Sequence, residues 1–168
     1  PFTASQLGRK LDEVGLSDQV PVNVVPPGGS VTLGPFEINY VRVTHSILEA
    51  HSLAIRTPAG LIVHSGDWKI DPEPLIGPLI DEARFRELGD EGVLALIGDS
   101  TNVFVPGHSG SEGALGRSLT EIMAKKTGRV AVTTFASNAP RIQSIVTAAR
   151  DNGREVVVVG RSLWRTIE

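Results

Sequence analysis

Apolar and polar positions along this chain change period several times. Leu7, Leu11 and Val14 recur at helical spacing. Thr3 or Ser5 offers a cap and Gly15 a stop, which predicts a helix to about Val14. Val20 to Val25 reads as a strand with proline at its margins, and Pro26-Pro27-Gly28-Gly29 as a turn. Val31 to Leu33 and Phe36 to Val43 read as paired strands around Gly34-Pro35. Leu53 to Thr57 and Leu61 to His64 form a hairpin across Pro58-Ala59-Gly60. Antiparallel strands therefore dominate residues 1–64.

The pattern then shifts. Asp71-Pro72-Glu73-Pro74 opens a loop, Asp81 to Leu88 is a charged, exposed helix, and Val93 to Ile97 is a short buried strand. Val105-Pro106-Gly107-His108-Ser109-Gly110 is a Gly/Pro-rich joint. Ser109 with Glu112 forms a capping box for a helix to about Lys126. Arg129 to Phe135 reads as a strand, Pro140 to Asp151 as a helix and Glu155 to Val159 as another strand. The runs are almost continuously apolar, as parallel strands buried on both faces are. A boundary near 104–109 is expected, with domains at 1–104 and 105–168. Leu163 to Glu168 opens a further helix.

Composition narrows the classes. With 168 residues and 40% hydrophobic content, a real core is affordable in one domain or parts of two. The net charge of −3 gives no global argument for nucleic acid, though a local basic groove can sit on an acidic protein. The absence of cysteine excludes disulfides, thiolate metal sites and cysteine nucleophiles, and fits a cytoplasmic protein. No apolar stretch approaches the roughly 20 residues of a membrane helix. The chain opens on Pro1-Phe2-Thr3 without an initiator methionine, as a piece of a longer protein would.

Candidate chemistry sits where strands stop. Thr44-His45-Ser46, Gly66-Asp67-Trp68-Lys69-Ile70-Asp71 and Gly98-Asp99-Ser100-Thr101-Asn102 each follow an apolar run. An imidazole and two carboxylates delivered this way would stand on rigid supports at one sheet rim. His45 is either a hydrogen-bonded structural residue or a ligand. Asp67 is either a turn carboxylate or a ligand for hard or borderline metal ions, with Gly66 allowing a close approach or an unusual dihedral. Asp71 would then hold Lys69 or the loop in place. Asp99 is either an Asx-turn residue or an orienting and proton-transferring group. His51 reads as structural or peripheral, and His64 as buried within its strand. Ser137 or Asn138 caps the following helix, whose first turn carries Arg141. A basic residue there departs from the usual preference for acids and favours a phosphate contact. Gly160-Arg161-Ser162 repeats the theme. Arg129, Arg141, Arg154, Arg161 and Arg165 are either solvated helix-end residues or trackers of a nucleic-acid backbone.

In order, His45-Ser46-Ile47, His64 to Asp71, Asp99 to Asn102, Ser111-Glu112, Thr134-Phe135-Ala136-Ser137-Asn138 and Gly160-Arg161-Ser162 resemble RNase J-like proteins. These are metallo-β-lactamase-fold nucleases carrying a β-CASP insertion. The resemblance runs through essentially the whole chain. It implies an α/β protein: a partial metallo-β-lactamase αββα sandwich with an antiparallel-rich sheet, followed by the start of a parallel β-CASP domain. It implies that His45 ligates metal, that Asp67 bridges two ions, usually zinc, and that Asp99 is an acidic β-CASP residue beside them. It also implies that Ser111, Glu112, Ser137, Asn138, Arg141, Arg161 and Ser162 belong to a groove for RNA backbone or a 5′ phosphate.

Two departures accompany the resemblance. The family's His-x-His-x-Asp-His motif would lie before Pro1 and two later histidines beyond Glu168. Ile47-Leu48-Glu49 replaces the family's Ile-Pro-Asp/Glu, which would loosen the loop carrying His45. The expected activity is RNA phosphodiester hydrolysis by metal-activated water in the complete protein. The 168-residue chain alone is expected to bind zinc weakly or not at all, to be inactive, and to expose apolar surface favouring a homodimer. The alternatives are another phosphoester or ester hydrolase of the same fold, or a non-catalytic interaction module.

Overall fold

The computed structural model describes residues 1–167. Five strands form one sheet in sequence order: β1 (Ser30–Leu33), β2 (Phe36–Arg42), β3 (His51–Thr57), β4 (Gly60–His64) and β5 (Val93–Ile97). The first three pairings are antiparallel, and β4 pairs with β5 in parallel. A parallel neighbour needs a crossover. Helix α2 (Glu82–Glu91) supplies it, capped by the Asp81 carboxylate, which accepts from the Arg84 N–H. One small core joins them: Val41, Ala54, Leu61 and Val63 from the sheet and Leu88 from α2, with Phe85 against them.

Helix α1 (Phe2–Glu13) precedes the sheet and buries no residue. Neither Thr3 nor Ser5 caps it; Pro1 occupies the N-cap, with no side-chain hydrogen bond. Gly15 takes a φ of +70°, as a helix stop needs. Helices α3 (Glu112–Ala124) and α4 (Ala139–Asp151) pack on each other through Met123, Ala148 and Ala149, flanked by Leu119 and Ile145. The Asn152 amide donates to the Thr120 and Ala148 carbonyls and closes the pair. The α3 cap is Ser111, which accepts from the Ala114 N–H, and not Ser109. Asn138 caps α4 by accepting from the Arg141 N–H. Asn138→Ala is expected to cost about 1 kcal/mol, read from the urea midpoint. The last helix, α5, spans Arg161–Ile167.

Three strand expectations are corrected. Val20 to Val25 forms no ladder. Arg129 to Phe135 and Glu155 to Val159 form no ladder either, so the parallel sheet expected after residue 105 is absent among the described residues. Apolar composition alone does not make a strand; the backbone needs a partner edge. Val157 and Val159 stand 83% and 80% exposed, showing how little covers these segments. The strand Val93–Ile97 forms as expected but is exposed along its length rather than buried. It is an edge strand with β4 on one side.

Candidate active-site edge and its comparisons

The sheet topology explains why three chemical groups emerge at one sheet edge. Strand β2 runs antiparallel to β3, β3 antiparallel to β4, and β4 parallel to β5. Thus β2, β4 and β5 point the same way and end at one edge. His45 follows β2, Asp67 follows β4 and Asp99 follows β5.

Backbone and hydroxyl bonds tie those ends together. Past β2, Thr44 bridges to Lys69: the Lys69 N–H donates to the Thr44 carbonyl at 2.9 Å, and the Thr44 hydroxyl to the Lys69 carbonyl at 2.5 Å. Past β4, the Ser65 N–H donates to the Ile97 carbonyl at 2.9 Å, and the Asp99 N–H donates to Ser65 Oγ at 2.8 Å. Ser52 adds a buried hydroxyl bond to the Ser65 carbonyl at 2.6 Å. Gly66 has a φ of +61°, and a Cβ there would lie 3.0 Å from the His51 carbonyl oxygen. Both roles read for this glycine hold, the unusual dihedral and the close approach.

His45 and Asp67 line one cavity of about 520 Å³, with His51, His64 and Gly66. His45 also lines a second cavity of about 410 Å³, with Lys69, Asp71 and Glu112. Asp99 lines neither of these cavities; with Trp68 it lines a separate apolar hollow. Its Oδ1 accepts from the Thr101 hydroxyl and N–H. Those two bonds hold its carboxyl below the usual range, with help from the Trp68 N–H and nearby His45. Asp99 is therefore both the Asx-turn residue and a neighbour of the His45 edge.

The other histidines take different places. His64 is exposed at the strand end, not buried, and its Nδ1 accepts from the Gly66 N–H. His51 donates from Nδ1 to the Glu49 carbonyl and stacks edge-on with Tyr40 at 5.8 Å. Glu49, in the loop where the resemblance lacked its proline, has a φ of +57°, and its carboxylate accepts from the Phe2 N–H.

Among the described residues Asp71 is the most deeply buried acid, 2% exposed. Its Oδ1 accepts from the Glu73 N–H at 3.0 Å; its Oδ2 accepts from the Glu112 N–H at 3.2 Å and lies 3.0 Å from Lys69 Nζ. Glu112, 7% exposed, accepts from both Arg141 Nε and Nη2 at 3.1 Å and lies 3.4 Å from Lys69. Burial pushes both carboxyls up. Hydrogen bonds from Glu73, Lys69 and Glu112 outweigh it at Asp71, and Arg141 and Lys69 outweigh it at Glu112, so both end below the ordinary range. Groups lowered on folding stabilise the fold fully above their unfolded values, about 3.9 for Asp and 4.3 for Glu. That contribution disappears as pH falls through the lower folded-state values. Between about pH 5 and pH 3, the thermal midpoint is expected to fall more steeply in the wild type than in Asp71→Asn.

Sequence reading gave Asp71 the role of holding Lys69 or the loop, and its carboxylate meets both Lys69 and the Glu73 N–H; it missed the Glu112–Arg141 pair. A signal existed: the basic residue in the first turn of α4 wants an acidic neighbour. Glu112 supplies it, which removes the reason for assigning Arg141 to a phosphate. Ser111 and Asn138 spend side-chain oxygens as caps, while Ser137, Arg161 and Ser162 are exposed.

As a metal site, the donor chemistry at this edge is right and the number short. Imidazole and carboxylate suit zinc. Yet the described residues hold no cluster of three or more histidine, aspartate or glutamate side chains able to grip an ion.

The ribonuclease J β-CASP domain model matches residues 127–168. Ribonuclease J of Sinorhizobium meliloti is 47% identical over all of this chain, which covers 30% of that protein. The Synechocystis enzyme of the same name is 42% identical over 94% of the chain and 25% of its own length, and that of Thermus thermophilus 41% over 98% and 29%. The chain thus spans less than a third of these relatives. A crystal structure of an Enterococcus faecalis protein of unknown function superposes with a TM-score of 0.59 at 16% identity, over 88% of this chain and 40% of that one. That likeness concerns the fold alone. The chain is RNase J-like: along its whole length it matches one stretch of the ribonuclease J proteins, running into their β-CASP domain.

Proposed function

We propose that this chain forms part of a metal-dependent ribonuclease and contributes His45 and Asp67 to a divided dinuclear zinc site at the sheet edge. The observation that carries the reading is the shared cavity of His45 and Asp67, which follow strands of common direction, with Asp99 two residues past the end of the neighbouring β5. Residues 1–104 belong to a metallo-β-lactamase sandwich and 105–168 to a β-CASP domain. The cleft between them takes RNA, and the protein works in the cytoplasm. Among the described residues, no helix is long and apolar enough to cross a membrane.

The bound ions would supply activation of a water nucleophile and neutralisation of charge at the phosphodiester. The chain's own residues do the positioning. Gly66 turns the backbone so that Asp67 leaves the sheet at the cavity. Thr44 and Ser65 lock the neighbouring strand ends. Asp99, held by two hydrogen bonds from Thr101, offers a carboxylate acceptor at the same sheet edge as His45. Ser137, Arg161 and Ser162 remain the groups available to RNA phosphates. The remaining donors come from polypeptide outside residues 1–168, so the chain alone is inactive.

The test is decay of 5′-monophosphorylated RNA by the longer enzyme, before and after chelation and after zinc is restored. Loss on chelation with recovery on zinc is expected. Activity indifferent to chelation would contradict the reading.

A further inference from the structure

A buried charge network joins the Asp67 segment to the two helices beyond the joint. It begins beside His45, where Thr44 Oγ1 accepts from the Asp71 N–H at 3.3 Å. It passes through Lys69 and Asp71, two and four residues after Asp67. It reaches the first residue of α3 at Glu112 and the first turn of α4 at Arg141. Asp71 does two jobs at once. It neutralises Lys69 and it accepts the free N–H at the start of α3, where a helix favours negative charge. Glu112 divides its carboxylate between Lys69 on one side and the Arg141 fork on the other. The two acids and two bases cancel, as buried charges must. Lys69, Asp71 and Glu112 share a cavity wall with His45.

From this we infer that Glu112 and Arg141 are positioning residues that set the distance and angle between the Asp67 loop and helices α3 and α4, and are not contacts to RNA. The inference rests on the ribonuclease reading for its kinetic consequence. Charge and geometry favour it over a phosphate contact. Glu112 would repel a phosphate. Arg141 already makes a two-point bond to Glu112, of the kind lysine does not reproduce. A network anchored at both ends transmits misplacement: about 1 Å at a reacting centre can cost around 100-fold in turnover.

The two assignments predict different outcomes. Removing the Glu112 charge near a phosphate groove would tighten RNA binding. Under the positioning assignment, Glu112→Gln leaves RNA affinity within about twofold and lowers kcat by about 10- to 100-fold. Arg141→Gln does the same and leaves the salt dependence of binding unchanged. A phosphate contact would reduce that slope by roughly 0.7 for single-stranded RNA. The charge-balanced double variant Glu112→Gln/Arg141→Gln loses no more than either single variant, because both break one link. If Glu112→Gln fails to fold, Arg141→Lys, which keeps the charge and loses the fork, carries the test through the same kcat drop.

Hydrogen exchange on the longer protein gives a readout independent of activity. Arg141→Gln is expected to speed exchange of the Lys69, Asp71 and Glu73 amides by about tenfold, leaving β3 unchanged. Tighter RNA binding by Glu112→Gln, a reduced salt slope in Arg141→Gln, or unaltered exchange at residues 69–73 would each overturn the inference. A wild-type protein that hydrolyses no RNA but shows the exchange coupling would instead refute the ribonuclease reading alone.

Discussion

Asp67→Asn in the longer enzyme is expected to lower RNA hydrolysis by more than the roughly 10- to 100-fold that loss of an outer-shell partner costs. The amide keeps the shape of the carboxylate and removes the charge that would hold a cation. Asp67 is exposed, and its side chain makes no hydrogen bond among the described residues. The substitution should therefore change stability by no more than about 0.5 kcal/mol. Separation of the two effects is the signature of a residue placed for chemistry. Initial rates on RNA and a thermal scan of the same preparation check it. A matched fall in both would mean that Asp67 is a structural turn residue.

Leu88→Ala carries the largest expected effect on the fold. Leu88 is 1% exposed and is the residue through which α2 enters the sheet core. Truncating a fully buried leucine costs about 2–5 kcal/mol, depending on how far the surroundings collapse. The cluster it joins contains four other buried side chains, Val41, Ala54, Leu61 and Val63, all held on strands, so little can move to fill the gap. With a urea slope of about 1–3 kcal/mol per M, the midpoint should fall by about 1 M or more. Leu94→Ala, on the edge strand and 63% exposed, should leave it nearly unchanged. Equal effects at both positions would show that β5 is covered in solution.

Much of the sheet was legible because local chemistry and tertiary structure agree there. Gly34-Pro35 and Pro58-Ala59-Gly60 turn the chain between strands that pair antiparallel, and the hairpins follow. Helices α2 and α4 were legible for the same reason: Asp81 and Asn138 cap them where the apolar period starts. The segments around Val130 and Val157 were misread because a buried parallel strand depends on neighbours that no local pattern reports. The same limit applied to burial of β5. At the site, Gly66 and the strand-end positions of His45, Asp67 and Asp99 were readable from apolar runs that stop. The partnership of Glu112 with Arg141 was not, since the two lie 29 residues apart and meet only when α3 and α4 pack. Two caps slipped by a few residues, from Ser109 to Ser111 and from Thr3 or Ser5 to Pro1, where several small polar residues competed for one position.

The central claim is that His45 and Asp67 are the share of a divided metal site carried by this stretch of chain. Metal content of the purified longer enzyme, determined by mass spectrometry for the wild type, His45→Ala and Asp67→Asn, tests it most directly. The account predicts two zinc ions per wild-type chain and loss of at least one in each variant, with the fold retained. Unchanged metal content in both variants would contradict it.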